Sequence, residues 1–309
     1  MLTKHINFMS KRKIAMIVSA VLILLSLGSL FVKGLNLGVD FTGGTVIEVG
    51  YSGNANIPEI REILNKAGYE AAVQPFGTAQ DVLIRLPEQT GVDRAKVSDN
   101  VISTLRETTP GVELRRVEFV GPQIGDELRD QGGIAMLLAL SGILIYIALR
   151  FEFRFSLGSI IALLHDVILT VGFFSLTGIE FDLTILAAVL AIIGYSLNDT
   201  IVVFDRIREN FLKLRKAETE ESIDVSINET LSRTIVTSLT TLLVLISLFV
   251  FGGEIIHGFS IAMIVGILVG TYSSIYVASS SLLMMGITRE ALLPPPKDEE
   301  SDEELDAIP

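Results

Sequence analysis

The sequence contains no cysteine and only three histidines among its 309 residues. Without cysteine the chain has neither a disulfide framework nor a thiolate metal site, and the absence of an HExxH motif argues against a zinc centre. No GxxxxGK[ST] segment is present, which argues against an ATPase. Basic residues form no stripe suited to nucleic acid. We therefore expect no metal, no cofactor and no nucleic-acid partner.

The net charge of −12 is concentrated toward the C-terminus. Three consecutive prolines at 294–296 precede seven acidic residues, Asp298, Glu299, Glu300, Asp302, Glu303, Glu304 and Asp306. A polar, acidic segment buries too little apolar surface to fold. We therefore expect a disordered, solvated cytoplasmic tail over 287–309; a dedicated binding peptide is the alternative.

Half of the residues are hydrophobic, which is too many for an ordinary soluble domain. They are collected in six runs close to the ~20 helical residues that cross a ~30 Å hydrocarbon core. The sequence therefore predicts a polytopic α-helical membrane protein. The predicted spans are 14–32, 133–150, 157–177, 183–204, 235–252 and 258–286. The first follows basic residues as a signal peptide does, but its apolar run is too long, so we expect an uncleaved anchor.

Basic residues mark one side of the membrane. They occur before the first span, between the second and third spans, and at six positions between the fourth and fifth, whereas the loops 178–182 and 252–258 carry none. Because lysine and arginine concentrate in cytoplasmic loops, we expect segments 1–13 and 205–234 and the tail to be cytoplasmic. The long segment 33–132 then lies outside.

The outer segment reads as one small α+β domain. Strand-like stretches occur at 45–49, 72–76, 82–86 and 112–119, and helical patterns at 56–68 and 97–105. The order β-α-β-β-α-β predicts a ferredoxin-like domain between the first and second transmembrane helices. Many unrelated functions share such a fold, so the fold alone indicates none of them.

Two aspartates lie inside apolar spans. Asp166 is near the middle of the third span, and Asp199 is close to the charged end of the fourth. A carboxylate at bilayer depth costs about 2.5–3.5 kcal/mol, which predicts a proton or ion relay, a substrate pathway or acid–base chemistry. A structural carboxylate or a helix register pin is the alternative. Consecutive helix positions face about 100° apart, so we expect His165 to contact a neighbouring span rather than Asp166.

Polar residues near Asp199 extend this candidate site. Asn198 and Tyr195 lie beside it on the same helix, where they would tune its proton affinity. Arg233, at the cytoplasmic end of the fifth span, lies at a depth where it can pair with Asp199. Snorkelling of the Arg233 side chain toward water is the alternative.

The sixth span repeats a small residue at every fourth position: Gly258, Ala262, Gly266, Gly270, Ser274 and Ala278. Small residues at this spacing let helices approach closely. We therefore expect a tightly packed helix, with a hinge as the alternative.

Four motifs in order identify a resemblance. GVDFTGG at 38–44 follows the first span, VGPQIGDEL at 120–128 precedes the second, GYSLNDTIVVFDRIRE at 194–209 closes the fourth, and NETLSRT at 228–234 opens the fifth. With this topology they resemble the SecF family of the bacterial SecDF protein-export complex, within the resistance-nodulation-division superfamily. The resemblance covers nearly the whole chain.

The resemblance implies a non-enzymatic transport subunit of the bacterial inner membrane, with a periplasmic outer domain. SecF-like chains pair with SecD in a twelve-span unit that associates with the SecYEG channel and, in many bacteria, YajC. That unit uses the proton gradient to help draw translocating preproteins across the membrane. The residues that this implies for the proton relay are Asp199, Arg233, Asp166 and Asn198.

Two glycine-containing connections join the outer domain to its flanking spans. Their notable residues are Asp40, Gly43, Gly44, Gly121, Pro122 and Gly125. Glycines there can act as hinges when the domain moves with the spans. A tight structural turn is the alternative.

Three other functions match parts of the pattern. An intramembrane aspartyl protease also needs two facing aspartates, but the GxGD-type surroundings of that class are missing around Asp199. A lipid or drug exporter of the same superfamily usually carries two six-span halves in one chain. A purely structural assembly factor would survive the loss of both carboxylates.

Overall fold

The structure is a computed structural model that describes residues 6–87, 94–150, 152–214 and 216–287. Its helices are α1 (Arg12–Val32), α2 (Val39–Thr42), α3 (Ile57–Lys66), α4 (Arg94–Thr108), α5 (Pro122–Arg150), α6 (Phe153–Thr177), α7 (Leu183–Lys213), α8 (Thr219–Phe251), α9 (Glu254–Ser273) and α10 (Ser279–Met284). A π-helical turn, Ser274–Ala278, joins α9 to α10. The strands are β1 (Gly44–Gly50), β2 (Ala72–Phe76), β3 (Thr78–Leu86) and β4 (Glu113–Val120). The predicted acidic tail lies outside the described residues from 288 onward.

Six helical segments of the described chain are long and apolar enough to cross a membrane, in agreement with the six predicted spans. They are α1, α5, α6, α7, α8 and the continuous α9–α10. In the most apolar part of α6, 56% of the residues are buried inside the protein, and the share is 50% in α7 and in α9–α10. The share falls to 22% in α1, 17% in α8 and 6% in α5. The bundle therefore has α6, α7 and α9–α10 at its centre, with the other three around them.

The segment 205–234, predicted as a loop, is mostly helical. Helix α7 continues to Lys213 and α8 already begins at Thr219. Glu209 accepts from Arg206 at 2.8 Å and from Lys213 at 2.5 Å, pairs that support one more turn of helix. The loop prediction was wrong because hydropathy marks where a helix leaves the apolar layer, not where the helix ends.

Local sequence signals set several helix ends. Asp182 Oδ1 accepts the backbone N–H of Ile185 at 2.8 Å and caps α7. Gly178, in the left-handed conformation with φ 70°, terminates α6. Helix α5 starts at Pro122, well before the predicted span at 133, since proline is favoured at a first helical position.

The small residues of the last span pack against α7, as predicted. A Cβ at Gly266 would collide with the side chain of Ile192, and a Cβ at Gly270 would lie 3.1 Å from Ser196 Oγ. The two backbones therefore approach as closely as glycine permits.

The segment between α1 and α5 contains a four-stranded antiparallel sheet in the order β2-β3-β1-β4. Ile47 of β1 lies opposite Ile84 of β3 and Val117 of β4, which fixes the register. Helix α3 follows β1 and α4 follows β3, so the chain order is β-α-β-β-α-β. Ile47, Ile84 and Leu64 of α3 belong to one buried apolar cluster between the helices and the sheet.

Candidate functional site

Asp199 joins three helices through its carboxylate. The residue lies on α7 and is 7% exposed. Thr234 on α8 donates to Oδ1 at 2.7 Å, and Ser274, the first residue of the π-helical turn, donates to Oδ2 at 2.9 Å. Both oxygens of this buried carboxylate are thus held by hydroxyl groups, each from a different helix.

The π-helical turn beside Asp199 was not predicted from the sequence. A π-helix bonds each N–H five residues back, is rare, and occurs often at functional sites. Ser279 Oγ donates to the Ser274 carbonyl at 3.3 Å within this turn. The ladder of small residues fits an α-helix and a π-helix equally well, so spacing gave no warning. The one signal in the sequence is the unusual number of serines in an apolar span, at 273–274 and 279–281. The structure buries all five of them.

Arg233 lies next to Thr234 on α8 and makes no direct bond to Asp199. In the described chain the two residues form no ion pair within 4.0 Å, so the direct pairing considered from the sequence is absent. The reason is helical geometry: Thr234 faces inward and is buried, so its neighbour about 100° around the helix is exposed. Arg233 and Asn198 instead line a cavity of about 460 Å³ together with Asp205 and Glu229.

Asp166 forms a second buried carboxylate site on α6. It is 1% exposed. His165 Nδ1 lies 2.8 Å from Oδ1, and Ser196 of α7 donates to Oδ2. The prediction that His165 avoids Asp166 was wrong, because the 100° separation describes the Cα–Cβ directions and the imidazole reaches back across it. The ring also contacts the neighbouring span, with its centroid 6.1 Å from that of Tyr272.

The two carboxylates have separate partners. Asp166 binds His165 and Ser196, whereas Asp199 binds Thr234 and Ser274. Among the described residues neither carboxylate is hydrogen-bonded to the other. A pair of aspartates that share one proton, as an aspartyl protease requires, is therefore not formed.

The two glycine-containing connections meet at the boundary between the sheet and the bundle. A Cβ on Gly125 of α5 would lie 2.9 Å from the Gly43 backbone nitrogen. Gly44 has φ 142°, and a Cβ there would collide with the Leu86 carbonyl oxygen. Gly121 separates β4 from Pro122, which begins α5. In this structure both connections are close-packed tight turns.

Asp40 fastens the first connection to the membrane bundle. Its Oδ2 accepts the backbone N–H of Leu183 at 3.1 Å, at the start of α7. Phe41, next in sequence, stacks on Phe181 with ring centroids 6.2 Å apart. A third contact between the sheet segment and the bundle was not predicted from the sequence. It is an ion pair between Arg85 of β3 and Glu180 in the α6–α7 connection. No pattern in the sequence relates these two residues.

Known families match most of the chain. Residues 100–288 match the family described as protein export membrane protein SecD/SecF, C-terminal, and residues 28–55 match the SecD/SecF GG motif. Protein translocase subunit SecF of Pseudomonas aeruginosa is 51% identical over 293 residues, which are 94% of each chain. The SecF subunit of Vibrio alginolyticus is 51% identical over 99% of this chain and 98% of its own length.

Two solved structures share the fold. The crystal structure of SecDF from Thermus thermophilus, described as a translocon-associated membrane protein, matches with a TM-score of 0.82 and 39% identity over 92% of this chain. A crystal structure of SecDF in a super-membrane-facing form matches with a TM-score of 0.70 and 37% identity over the whole chain. The chain spans 39% and 41% of those two SecDF chains.

Proposed function

Because the chain belongs to the SecF family of protein translocase subunits, we propose that it is a proton-driven accessory subunit that promotes polypeptide export across the bacterial inner membrane. It is a multi-pass membrane protein with a transport role. The solved SecDF chains are more than twice as long, so a SecD-like partner supplies the remaining half. SecYEG, YajC and the translocating preprotein are the further partners that we propose, with the proton gradient as the energy source in place of a cofactor.

The observation that carries the proposal is the double hydroxyl contact of Asp199. An ionised carboxylate accepts hydrogen bonds at both oxygens, whereas a protonated one donates through one of them. Proton uptake therefore removes the charge that strengthens both bonds and adds a donor at one oxygen, which weakens or reverses the contact with Thr234 or with Ser274. Each protonation event in this way alters how α7 is joined to α8 or to the last helix.

The energy that one proton gains by crossing the membrane potential is similar in size to the energy of one hydrogen bond to Asp199. Moving one charge through 100 mV supplies about 2.3 kcal/mol, and a hydrogen bond to a charged group contributes about 1.5–3 kcal/mol. One proton that crosses the membrane is thus sufficient to reset one of these contacts. Such a difference biases a two-state helix bundle.

We assign the route between Asp199 and the cytoplasm to the cavity that Asn198 and Arg233 line. Its volume of about 460 Å³ is large enough for several water molecules. Arg233 acts there through its charge at a distance, without a direct bond to the carboxylate. The acidic residues Asp205 and Glu229 on the same cavity offer further stations for a proton.

The outer sheet, in this proposal, is a periplasmic ferredoxin-like domain that moves with the membrane helices, while both termini stay cytoplasmic. Movements of α7 reach it by two contacts near the start of that helix. These are the Asp40–Leu183 hydrogen bond and the Arg85–Glu180 ion pair.

The test measures protein export into inverted membrane vesicles with and without a proton gradient. Asp199→Asn keeps the shape and hydrogen-bonding capacity of the side chain but cannot titrate. We expect this variant to copurify with the SecD-like partner and to lose the gradient-dependent part of export. Asp130→Asn, at an exposed position on α5 away from this cavity, is the matched control and keeps it. Unchanged gradient dependence in Asp199→Asn contradicts the proposal.

A further inference from the structure

His165 places an imidazole nitrogen without a hydrogen-bond partner in the centre of the bundle. The residue is 2% exposed, and Nε2 is buried with no partner among the described residues. When Asp166 is ionised, Nδ1 donates its hydrogen to this carboxylate, and the free lone pair then lies on Nε2. A buried acceptor left unpaired costs about 1–3 kcal/mol. A site that tolerates this cost is suited to bind a small donor at Nε2.

The surroundings leave the charge of Asp166 without a cation. Helix α9 contributes Tyr272, whose hydroxyl already donates to the Ala15 carbonyl of α1 at 2.7 Å. Helix α1 contributes Ser19, at 3.0 Å from the same hydroxyl, and α7 contributes Ser196. From the π-helical turn, Tyr276 contacts the Tyr272 ring, with 5.4 Å between the ring centroids.

No lysine, arginine or second carboxylate of the described chain forms an ion pair with Asp166 or His165. A buried carboxylate without a cation is unfavourable. A proton on Nε2 converts His165 into an imidazolium 2.8 Å from Asp166 and brings the net charge of the pair to zero.

We propose that His165 and Asp166 form a second proton-binding site, distinct from Asp199, which takes one proton at Nε2 from water. The proton leaves a hydronium ion, bonds to the Nε2 lone pair and returns to water by the same bond, so no other reactant is needed. This site deepens the proposed function and rests on it for the use made of the proton.

Ser196 connects the new site to Asp199. It donates to Asp166 and lies three residues before Asp199 on the same helix, so both groups occupy one face of α7. The backbone of α9 closes over it, since a Cβ at Gly270 would lie 3.1 Å from Ser196 Oγ. Protonation of His165 weakens Asp166 as an acceptor for Ser196, one helical turn away from the other carboxylate.

The direct test is a nitrogen NMR titration of His165. The chain has only three histidines, so His5→Asn combined with His257→Asn leaves one imidazole to observe. This full chain, labelled at histidine, is assembled with an unlabelled SecD-like partner in lipid nanodiscs. As the sample is acidified stepwise, we expect conversion of an Nδ1–H tautomer into an imidazolium. An imidazole that stays neutral throughout overturns the proposal.

Two further variants separate this site from Asp199 in the same titration. Asp166→Asn leaves His165 neutral over the same range, whereas Asp199→Asn leaves its protonation in place. Equal protonation of His165 with and without the Asp166 carboxylate overturns the pairing. Because the titration involves no export, its failure is distinguishable from failure of the proposed function.

A transport assay then tests whether the bound proton is used. We expect His165→Gln, which keeps a polar side chain but cannot titrate, to lose most gradient-dependent export while still copurifying with the partner. His257→Gln is the matched control. The His257 ring stacks on Phe249, with ring centroids 4.2 Å apart, and takes no part in either carboxylate site. Full gradient dependence in His165→Gln overturns the role of the site in transport.

Discussion

Arg85 on β3 forms an ion pair with Glu180 in the connection between α6 and α7, and thereby ties the outer sheet to the membrane bundle. Their side chains are only 19% and 15% exposed. An ion pair shielded from water to this degree responds strongly to the loss of one partner, because the other charge is left without compensation.

We expect Arg85→Gln and Glu180→Gln each to destabilise the folded protein by about 1–3 kcal/mol, between the values for exposed and fully buried pairs. Thermal unfolding in detergent measures this loss. The matched control is Glu62→Gln, which breaks the exposed Lys66–Glu62 pair on α3 and is expected to change stability by less than about 0.5 kcal/mol. A swapped pair, Arg85→Glu with Glu180→Arg, should regain part of the stability, and no recovery would mean that the two charges are not coupled.

The hydroxyl group of Thr234 is expected to matter more than its shape. Thr234→Val removes a hydrogen bond to a buried carboxylate and should cost about 1–3 kcal/mol, with reduced gradient-dependent export. Thr234→Ser keeps the hydroxyl and should retain most of both. The measurements are thermal unfolding and export into inverted vesicles. Equal behaviour of the two variants would show that the bond to Asp199 is dispensable.

Arg233 is expected to act through its positive charge rather than through bidentate hydrogen bonds of its guanidinium group. Since it forms no ion pair with Asp199, Arg233→Lys should keep most gradient-dependent export, whereas Arg233→Met should lose most of it. A site that needs the planar, bidentate guanidinium would reject lysine as well. Arg208→Met, at an exposed position on α7, is the control. Export rates with the gradient intact and dissipated decide between these outcomes.

Gly44 is expected to tolerate no side chain. Its φ of 142° is unfavourable for other residues, and a Cβ would collide with the Leu86 carbonyl oxygen. Gly44→Ala should therefore destabilise the outer domain by about 1–3 kcal/mol. Gly53→Ala is the matched control, because nothing lies within 4 Å of its Cβ position. Proteolysis rates of the outer domain report the difference, and equal rates would rule out strain at Gly44.

Tyr51 gives the outer domain a predicted alkaline transition. Burial and, to a lesser extent, the nearby charge of Glu59 raise the pKa of Tyr51 to about 12. The neutral phenol is thus favoured in the folded state. Its contribution to stability is complete below about pH 10, the ordinary tyrosine value, and is lost as the pH rises toward about 12. The difference in phenolate absorbance between wild type and Tyr51→Phe measures this, and a midpoint near 10 would contradict it.

The six spans were predictable because each is a continuous apolar run, and the order of strands and helices followed from alternation and turn residues. The ends of the helices were harder to predict from the sequence. The charged continuations of α7 and α8 form regular helix beyond the apolar runs, where hydropathy carries no information. The start of α5 at Pro122 was missed for the same reason.

The burial of Asp166 and Asp199 inside the bundle matches what two carboxylates in apolar runs implied. Their partners could not be derived, because the helix rotations that bring Ser274 and Thr234 to Asp199 depend on packing among several helices. The same packing decides that Arg233 faces a cavity. The contact of His165 with Asp166 depends on a side-chain rotation, which a helical projection of the sequence does not represent.

The sparse burial of α5 makes the bundle stiff at its centre and compliant on one flank. An apolar helix surface meets lipid tails as readily as it meets another helix, so tilting α5 exchanges one set of van der Waals contacts for an equivalent set. Tilting α7 would instead rupture buried polar bonds. Because β4 leads into α5 across the single residue Gly121, a pull on the outer sheet reaches this compliant helix directly, whereas it reaches α7 through the Arg85–Glu180 ion pair and the Asp40–Leu183 hydrogen bond. The outer sheet is thus joined to one compliant and one stiff helix of the bundle.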